Sequence, residues 1–285
     1  MKKVLVCFSL CLFMVFQSGL LGAMELELLG GVNGLTFQSE KTARGGHFEP
    51  NSFITGKLSF RGEISRAWAY SINVERDNIF QNTLDFRFRT RTDYFGFEFG
   101  TFLGLADSFG ALEMGILGSL EGIWPGVLFV SIGGTSSVGR SFARTSDNFR
   151  ESAEVKLGFW LPFAIPTLSA GIKNFTENTD KSSICNSLIR YQLSIEFFGK
   201  TLPFAIRVDG GYQTLSRTYS GNTEAADKLN SFFTGLDLQF SVSKHFRFIL
   251  GGEIPLAVKA KEPLDVSVKP LKMSKVYGGM IIRFY

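Results

Sequence analysis

Between Thr83 and Leu105 the chain reads TLDFRFRTRTDYFGFEFGTFLGL, and its period is two. Leu84, Phe86 and Phe88 alternate with Asp85, Arg87, Arg89 and Arg91. An extended strand points successive side chains to opposite faces, so this segment has one apolar and one ionic face. A helix would mix them. Past Thr92 and Asp93, where a tight turn fits, Phe95, Phe97 and Phe99 keep to one side while Gly96, Glu98 and Gly100 take the other. The pair is a hairpin with its aromatics on a single surface. Two environments satisfy it: a soluble sandwich with aromatics inward, or a membrane barrel with aromatics in lipid and charges around a wet interior.

The rest of the chain favours the barrel. Strand-like segments are expected at 26–37, 52–64, 68–76, 83–91, 94–105, 111–123, 127–136, 150–161, 166–175, 187–198, 203–216, 230–242, 246–258 and 273–285. Most are close to the roughly 9–11 residues that a tilted strand needs to cross a bilayer. The breaks at 65–67, 92–93, 124–126, 162–165, 199–202 and 243–245 are short, with turn formers such as Trp124-Pro125-Gly126. Those at 38–51, 138–149, 176–186, 217–229 and 259–272 are long and polar. Short and long breaks therefore alternate, as in barrels with short periplasmic turns, long surface loops and both termini on the inside. A sandwich has no reason to sort its loops by parity. The breaks at 78–82 and 106–110 are short for surface loops, which leaves twelve strands as the alternative count. The first strand loses its phase between Val32 and Leu35, where a bulge or glycine bend is expected near Asn33 and Gly34.

The faces agree. Leu58, Phe60 and Ile64 oppose Lys57, Arg61 and Glu63; Val155, Leu157 and Phe159 oppose Glu154 and Lys156; Ile189, Tyr191, Leu193 and Ile195 oppose Arg190 and Glu196. Ile206 and Val208 oppose Arg207 and Asp209, and Leu236 and Leu238 oppose Asp237. An Arg or Lys at the bilayer midplane costs about 2–4 kcal/mol, so the charges belong on a wet interior. The expected fold is all-β: a closed antiparallel transmembrane up-and-down β-barrel of about fourteen strands. Its expected lining is Lys57, Arg61, Arg87, Arg89, Arg91, Lys156, Arg190, Arg207, Arg247 and Arg283 with Glu63, Asp85, Glu98, Glu113, Glu154, Glu196, Asp209, Asp237 and Glu253. Fourteen strands about 4.7 Å apart, tilted near 40°, close at a diameter of roughly 27 Å. The ladder Arg87, Arg89 and Arg91 has two readings: a mild anion preference along the bore, or pairing with Asp85, Glu98 and Glu75 that stiffens the wall.

Residues 1–23 have Lys2 and Lys3, an apolar run to Phe16 and small residues up to Ala23, the three regions of a secretory signal with cleavage after Ala23. Residues 24–285 then form the barrel, with only Cys185 as a thiol and no apolar run of about 18 residues to make a membrane helix. Basic and acidic residues are interleaved, so no nucleic-acid partner is expected. His47 falls in a predicted loop and His245 in a predicted turn, neither on a strand beside a Ser, and there is no phosphate loop or metal-ligand spacing. Neither an enzyme nor a metal or cofactor is expected.

The last segment, MSKVYGGMIIRFY, places Val276, Met280, Ile282 and Phe284 on one face and ends at Tyr285. It resembles the C-terminal targeting strand of bacterial outer-membrane β-barrels, with the outward aromatic penultimate. Leu28-Leu29-Gly30-Gly31-Val32 and the general style resemble small spirochaetal, treponemal outer-membrane proteins. The resemblance implies outer-membrane lipid and the barrel-insertion machinery as partners. It also implies a porin-like passage for small polar or ionic solutes, as a single barrel or a homo-oligomer. A carrier of hydrophobic solutes, using Leu117, Phe129, Phe233 and Ile249 as an inward apolar patch, is the first alternative. A surface adhesin using the long loops is the second.

Overall fold

The computed structural model describes residues 23–34, 36–37, 48–49, 53–105, 112–138, 147–179, 182–198, 202–220, 225–261 and 273–284. The expected signal segment before Ala23, the final Tyr285, His47 and much of the long breaks at 38–51, 138–149 and 259–272 lie outside them. The strands are β1 (Met24–Asn33), β2 (Thr36–Phe37), β3 (Phe48–Glu49), β4 (Phe53–Glu63), β5 (Trp68–Asp77), β6 (Gln81–Arg91), β7 (Phe95–Leu105) and β8 (Leu112–Trp124). They continue as β9 (Leu128–Ser137), β10 (Asp147–Phe159), β11 (Ala164–Asn178), β12 (Ser183–Phe197), β13 (Phe204–Ser220), β14 (Ala225–Ser241), β15 (Phe246–Lys261) and β16 (Lys275–Phe284).

Fourteen of these form one closed barrel, each antiparallel to its neighbours in chain order, and β1 completes the circle by pairing with β4 on one side and β16 on the other. The short β2 and β3 form a separate two-stranded ribbon between β1 and β4. The fold is the expected all-β up-and-down barrel, with fourteen strands rather than twelve.

Turns at the end that holds both termini follow from local chemistry. At Trp124-Pro125-Gly126-Val127, Val127 N–H donates to Trp124 C=O at 2.9 Å, and Gly126 has φ 74°. Proline at the second position and a glycine free to take positive φ at the third make a type II turn. Three other turns here share one device: a hydroxyl accepts a backbone N–H three residues on, Ser65 from Trp68 at 3.2 Å, Thr92 from Phe95 at 3.1 Å and Ser243 from Phe246 at 3.2 Å. Such side-chain mimics of a backbone turn are what Ser and Thr offer between strands.

Two expectations concern where strands stop. First, β1 ends at Asn33 and the chain bends at Gly34, the expected glycine bend, with no bulge inside the strand. The register shift occurs instead where Phe232 pairs with Ala257 and Phe233 with Pro255, leaving Leu256 as the extra residue. Pro255 lacks an N–H and suits that interruption. Second, 176–186 and 217–229 are not long loops. β11 runs to Asn178 and β12 resumes at Ser183, and β13 runs to Ser220 with β14 resuming at Ala225. These hairpins make one side of the barrel taller, because here the polar residues lie on the outer face of continuing strands, as shown below.

Candidate functional site

Side-chain orientation follows from the register, because residues opposite one another share a face. Phe88, Phe95, Phe97, Phe99, Leu120, Ile132, Leu168, Leu193, Leu236, Phe240 and Leu250 are all exposed on the outside. Phe99 stacks on Phe88 across the strand pair at 5.7 Å and on Phe97 at 5.5 Å, the cross-strand aromatic packing that stabilises a sheet face. The opposite set points inward and makes ion pairs between strands that are not neighbours, as only an inner face can. Arg190 of β12 reaches Glu253 of β15 at 2.6 Å, with its guanidinium 3.9 Å from the centre of the Phe233 ring.

The register places every residue of the expected lining on this inner face. Near the termini, Arg283 meets Glu25 at 2.7 Å and Lys57 meets Glu27 at 2.7 Å. Arg247 donates to Ser241 Oγ at 3.1 Å and Gln239 Oε1 at 3.3 Å. Glu63 lies opposite Ala69, and Glu196 opposite Arg207. Arg207 in turn pairs with Asp209 at 3.2 Å and with Asp237, which also accepts a hydrogen bond from the Tyr277 hydroxyl. Lys156 pairs with Glu154 at 2.7 Å.

The arginine ladder is met by acids. Arg87 grips Asp85 through two bonds of 2.8 Å and also reaches Glu98 at 3.1 Å. Arg89 bonds Glu121 at 3.0 Å, and Arg91 lies 3.8 Å from the same carboxylate. Asp85 and Glu98 are expected partners. Glu75 lies opposite Thr83, further along β5, and the β5 residue opposite Arg89 is Ala69, so Arg89 and Arg91 turn to Glu121 of β8 instead.

Three cavities, of about 300, 210 and 170 Å³, occupy this interior. The first shares Arg87 and Glu98 with the second, and Glu154 and Lys173 with the third. They are neighbours along the bore, walled by charge of both signs. Leu117, Phe129, Phe233 and Ile249 do face inward, but they are spread among charged neighbours.

The far end of the barrel is different. The β5–β6 turn, Asn78-Ile79-Phe80, folds into the bore, and Ile79 is 1% exposed. Ile79 packs with Phe175 of β11, Leu215 of β13, Leu229 of β14 and Met273, with Phe80, Leu188 and Val258 against them. Asp77 Oδ1 accepts the Ile79 and Phe80 N–H groups at 2.8 and 2.5 Å, and this folds the tip. Lys173 of β11 then bonds Asp77 Oδ2 at 2.9 Å. In the strand order β10, β9, β8, β7 and β6 lie between β11 and β5, so this contact spans the lumen nearly from wall to wall.

Arg150 of β10 completes the closure. It is 0% exposed, donates from Nε to the Phe80 carbonyl at 2.7 Å, and pairs through Nη1 with Glu113 at 2.7 Å. Its guanidinium lies 4.6 Å from the centre of the Phe175 ring. Gly104 makes this path possible, since a Cβ there would collide with the Arg150 head. The sequence reading missed Ile79, Phe80, Arg150, Lys173, Glu25 and Glu27. Two large apolar residues at the tip of a short turn were the available signal for the first pair.

Of the terminal strand, Val276, Met280, Ile282 and Phe284 face outward, with Val276 and Phe284 exposed, and Arg283 faces inward. His245 sits in the β14–β15 turn with Nδ1 3.0 Å from the Arg283 carbonyl.

An apolar band outside, a charged bore inside, and Met24 and Phe284 paired at one rim define a barrel of the outer-membrane type. No family model matches the chain, and no curated protein is similar to it in sequence. Its fold is similar to that of an outer membrane channel from Pseudomonas putida F1, with a TM-score of 0.51 at 8% identity over 93% of this chain and 96% of that one. Weaker likenesses include OmpT of Vibrio cholerae (TM-score 0.46, 10% identity, 92% and 96% covered) and an anion-selective porin from Comamonas acidovorans (0.45, 10%, 92% and 99%). The fold is that of bacterial outer-membrane β-barrels.

Proposed function

We propose that the protein is an outer-membrane channel through which small polar or ionic solutes diffuse, without catalysis, cofactor or metal. One observation carries this reading: the inner face is ionic from Glu25 and Arg283 at the terminal rim to Arg190 and Glu253 deep in the bore, and it lines a series of neighbouring cavities. Charged groups so arranged keep water in the lumen, while the apolar outer band matches hydrocarbon. The termini then face the periplasm and the tall hairpins the cell surface. In the same reading residues 1–23 are the export signal, the outward face of β16 ending at Tyr285 is read by the insertion machinery, and a homo-oligomer would meet through the outer band. The spirochaetal likeness rests on the two chain ends and belongs to this proposal.

The arginine ladder is assigned to the wall rather than to selectivity, because Asp85, Glu98 and Glu121 neutralise it. A carrier of hydrophobic solutes is the second reading, and the apolar cluster around Ile79 favours it. Those side chains pack on one another, however, so the cluster is a filled core and not a binding cavity. Planar-bilayer recording of the refolded protein separates the two. Discrete conductance steps and sugar uptake into loaded liposomes support the channel. Co-purified lipid, with no conductance even when the far end is opened by the substitutions below, would overturn it.

A further inference from the structure

We propose that the β5–β6 turn is the gate of this lumen: Asn78, Ile79 and Phe80 close the far end, and the channel conducts when they swing out. The inference rests on the channel reading and adds its regulation. In the closed form the charged space ends at a dry apolar plug, and Lys173 and Asp77 cross the bore just beneath it. No charged solute passes such a barrier while the turn stays in place, because burying an unpaired ion among aliphatic side chains is prohibitive.

The turn is built as a two-state element. Its hinge is small: the β5–β6 ladder stops at the Asp77–Gln81 pair, and Gln81 sits at φ 58°, a left-handed conformation that is costly for a residue with a side chain. Opposing that cost are the burial of Ile79 and the two cationic contacts, Lys173 to Asp77 and Arg150 to the Phe80 carbonyl. Closure is thus a balance between apolar packing and ionic contacts on one side and a strained hinge on the other. It is not a fixed part of the wall: no strand of the barrel depends on it for a ladder partner. Lys173 and Arg150 act as positioning residues that hold the turn inward.

The test compares single-channel records of the wild-type protein, Ile79→Ser and Lys173→Met, each checked for a folded barrel by heat-modifiable migration on a gel. Ile79→Ser removes the apolar anchor; Lys173→Met keeps the plug and removes the contact across the bore. The open fraction should rise on the order of tenfold in each relative to wild type, as expected when a two-state equilibrium loses one of its few closing contacts. If all three proteins conduct with the same step size and open fraction, the gate is refuted and the channel stands. If all three are folded and silent, the channel reading fails and the gate with it. Should Ile79→Ser not fold, Lys173→Met decides alone.

Discussion

The barrel wall obeys opposite rules at its two levels. In the lower band Ile206, Val208 and Tyr212 of β13 point outward, and Arg207, Asp209 and Gln213 point inward. Two residues further up the same strand the outer set turns polar: Thr214, Ser216 and Thr218 are outside, while Leu215 is inside at 3% exposure with Arg217 buried beside it. β12 turns over at Leu188 and Ile189, the first inward and the second outward, with Ser187 and Cys185 outside above them. On the outer face of this upper region polar side chains bond across strands, Ser187 to Asn174 at 2.7 Å and Thr214 to Asn230 at 2.8 Å. β12 and β13 pass the crossover without a break in register, whereas β15 passes it through the bulge at Leu256. Where hydrocarbon lies outside, the apolar face turns out and water fills the middle; where water lies outside, the same sheet wraps an apolar core like a soluble protein. On the proposed channel reading, the exchange marks the upper edge of the membrane and the cap closes the bore above it.

If that contrast is right, equal chemistry at the two levels has unequal cost. The largest difference is expected for ion pairs. Glu113→Ala strands the wholly buried Arg150 and should cost about 4 kcal/mol, since an uncompensated buried charge is left behind. Arg89→Ala opens a pair in the wet bore and should cost less than about 1 kcal/mol. Urea midpoints of the refolded barrel in detergent measure both. Equal losses would mean that the cap is as wet as the lumen.

Truncation of the cap core comes next. Leu229→Ala should cost about 3 kcal/mol, the usual penalty for a cavity at a buried leucine, because Leu229 is 0% exposed among Phe175, Leu215 and Ile79. The outer face then gives a smaller effect with a sign that depends on height. Leu236→Arg, in the apolar band, should cost about 2 kcal/mol in a bilayer. Ser216→Arg, on the same surface above the crossover, should change stability by less than about 0.5 kcal/mol. Refolding yields in lipid vesicles across a urea series would show both; a large penalty at Ser216 would move the membrane edge upward and sink the two-level description.

Much of this was legible in the sequence. Period-two alternation located every barrel strand, and the phase of Arg87, Arg190 or Arg207 against neighbouring Phe and Ile gave the inner face. The cap was not legible for a physical reason. A strand whose apolar residues change sides loses its single-phase pattern at the crossover, so Arg217–Ser220 and Ser183–Asn186 read as polar loop. The adjacent apolar pairs Leu188-Ile189 and Phe232-Phe233 mark two of the crossings, because both faces are apolar where the inversion falls. Contacts across the bore are beyond any local pattern: Lys173 finds Asp77, and Arg150 finds Phe80, only because barrel closure brings β10 and β11 opposite the β5–β6 turn. Glu25 lay before the expected start of the first strand at residue 26, whereas β1 begins at Met24.

The smallest expected effect concerns the bore itself. Arg89 and Glu121 are paired at 3.0 Å in a wet lumen, so each cancels the other's influence on a passing ion. Arg89→Gln should therefore leave Glu121 exposed and shift reversal potentials in a salt gradient toward cations. The shift should be roughly twofold in permeability ratio, equivalent to less than about 0.5 kcal/mol, because a partly solvated charge is screened. Adding Glu121→Gln should return the ratio to the wild-type value, although an arginine is still missing from the ladder. Failure of the second substitution to restore it would show that Arg89 acts on solutes directly. The ladder would then be a selectivity element rather than a part of the wall, and the cap would no longer be the only level at which this barrel discriminates.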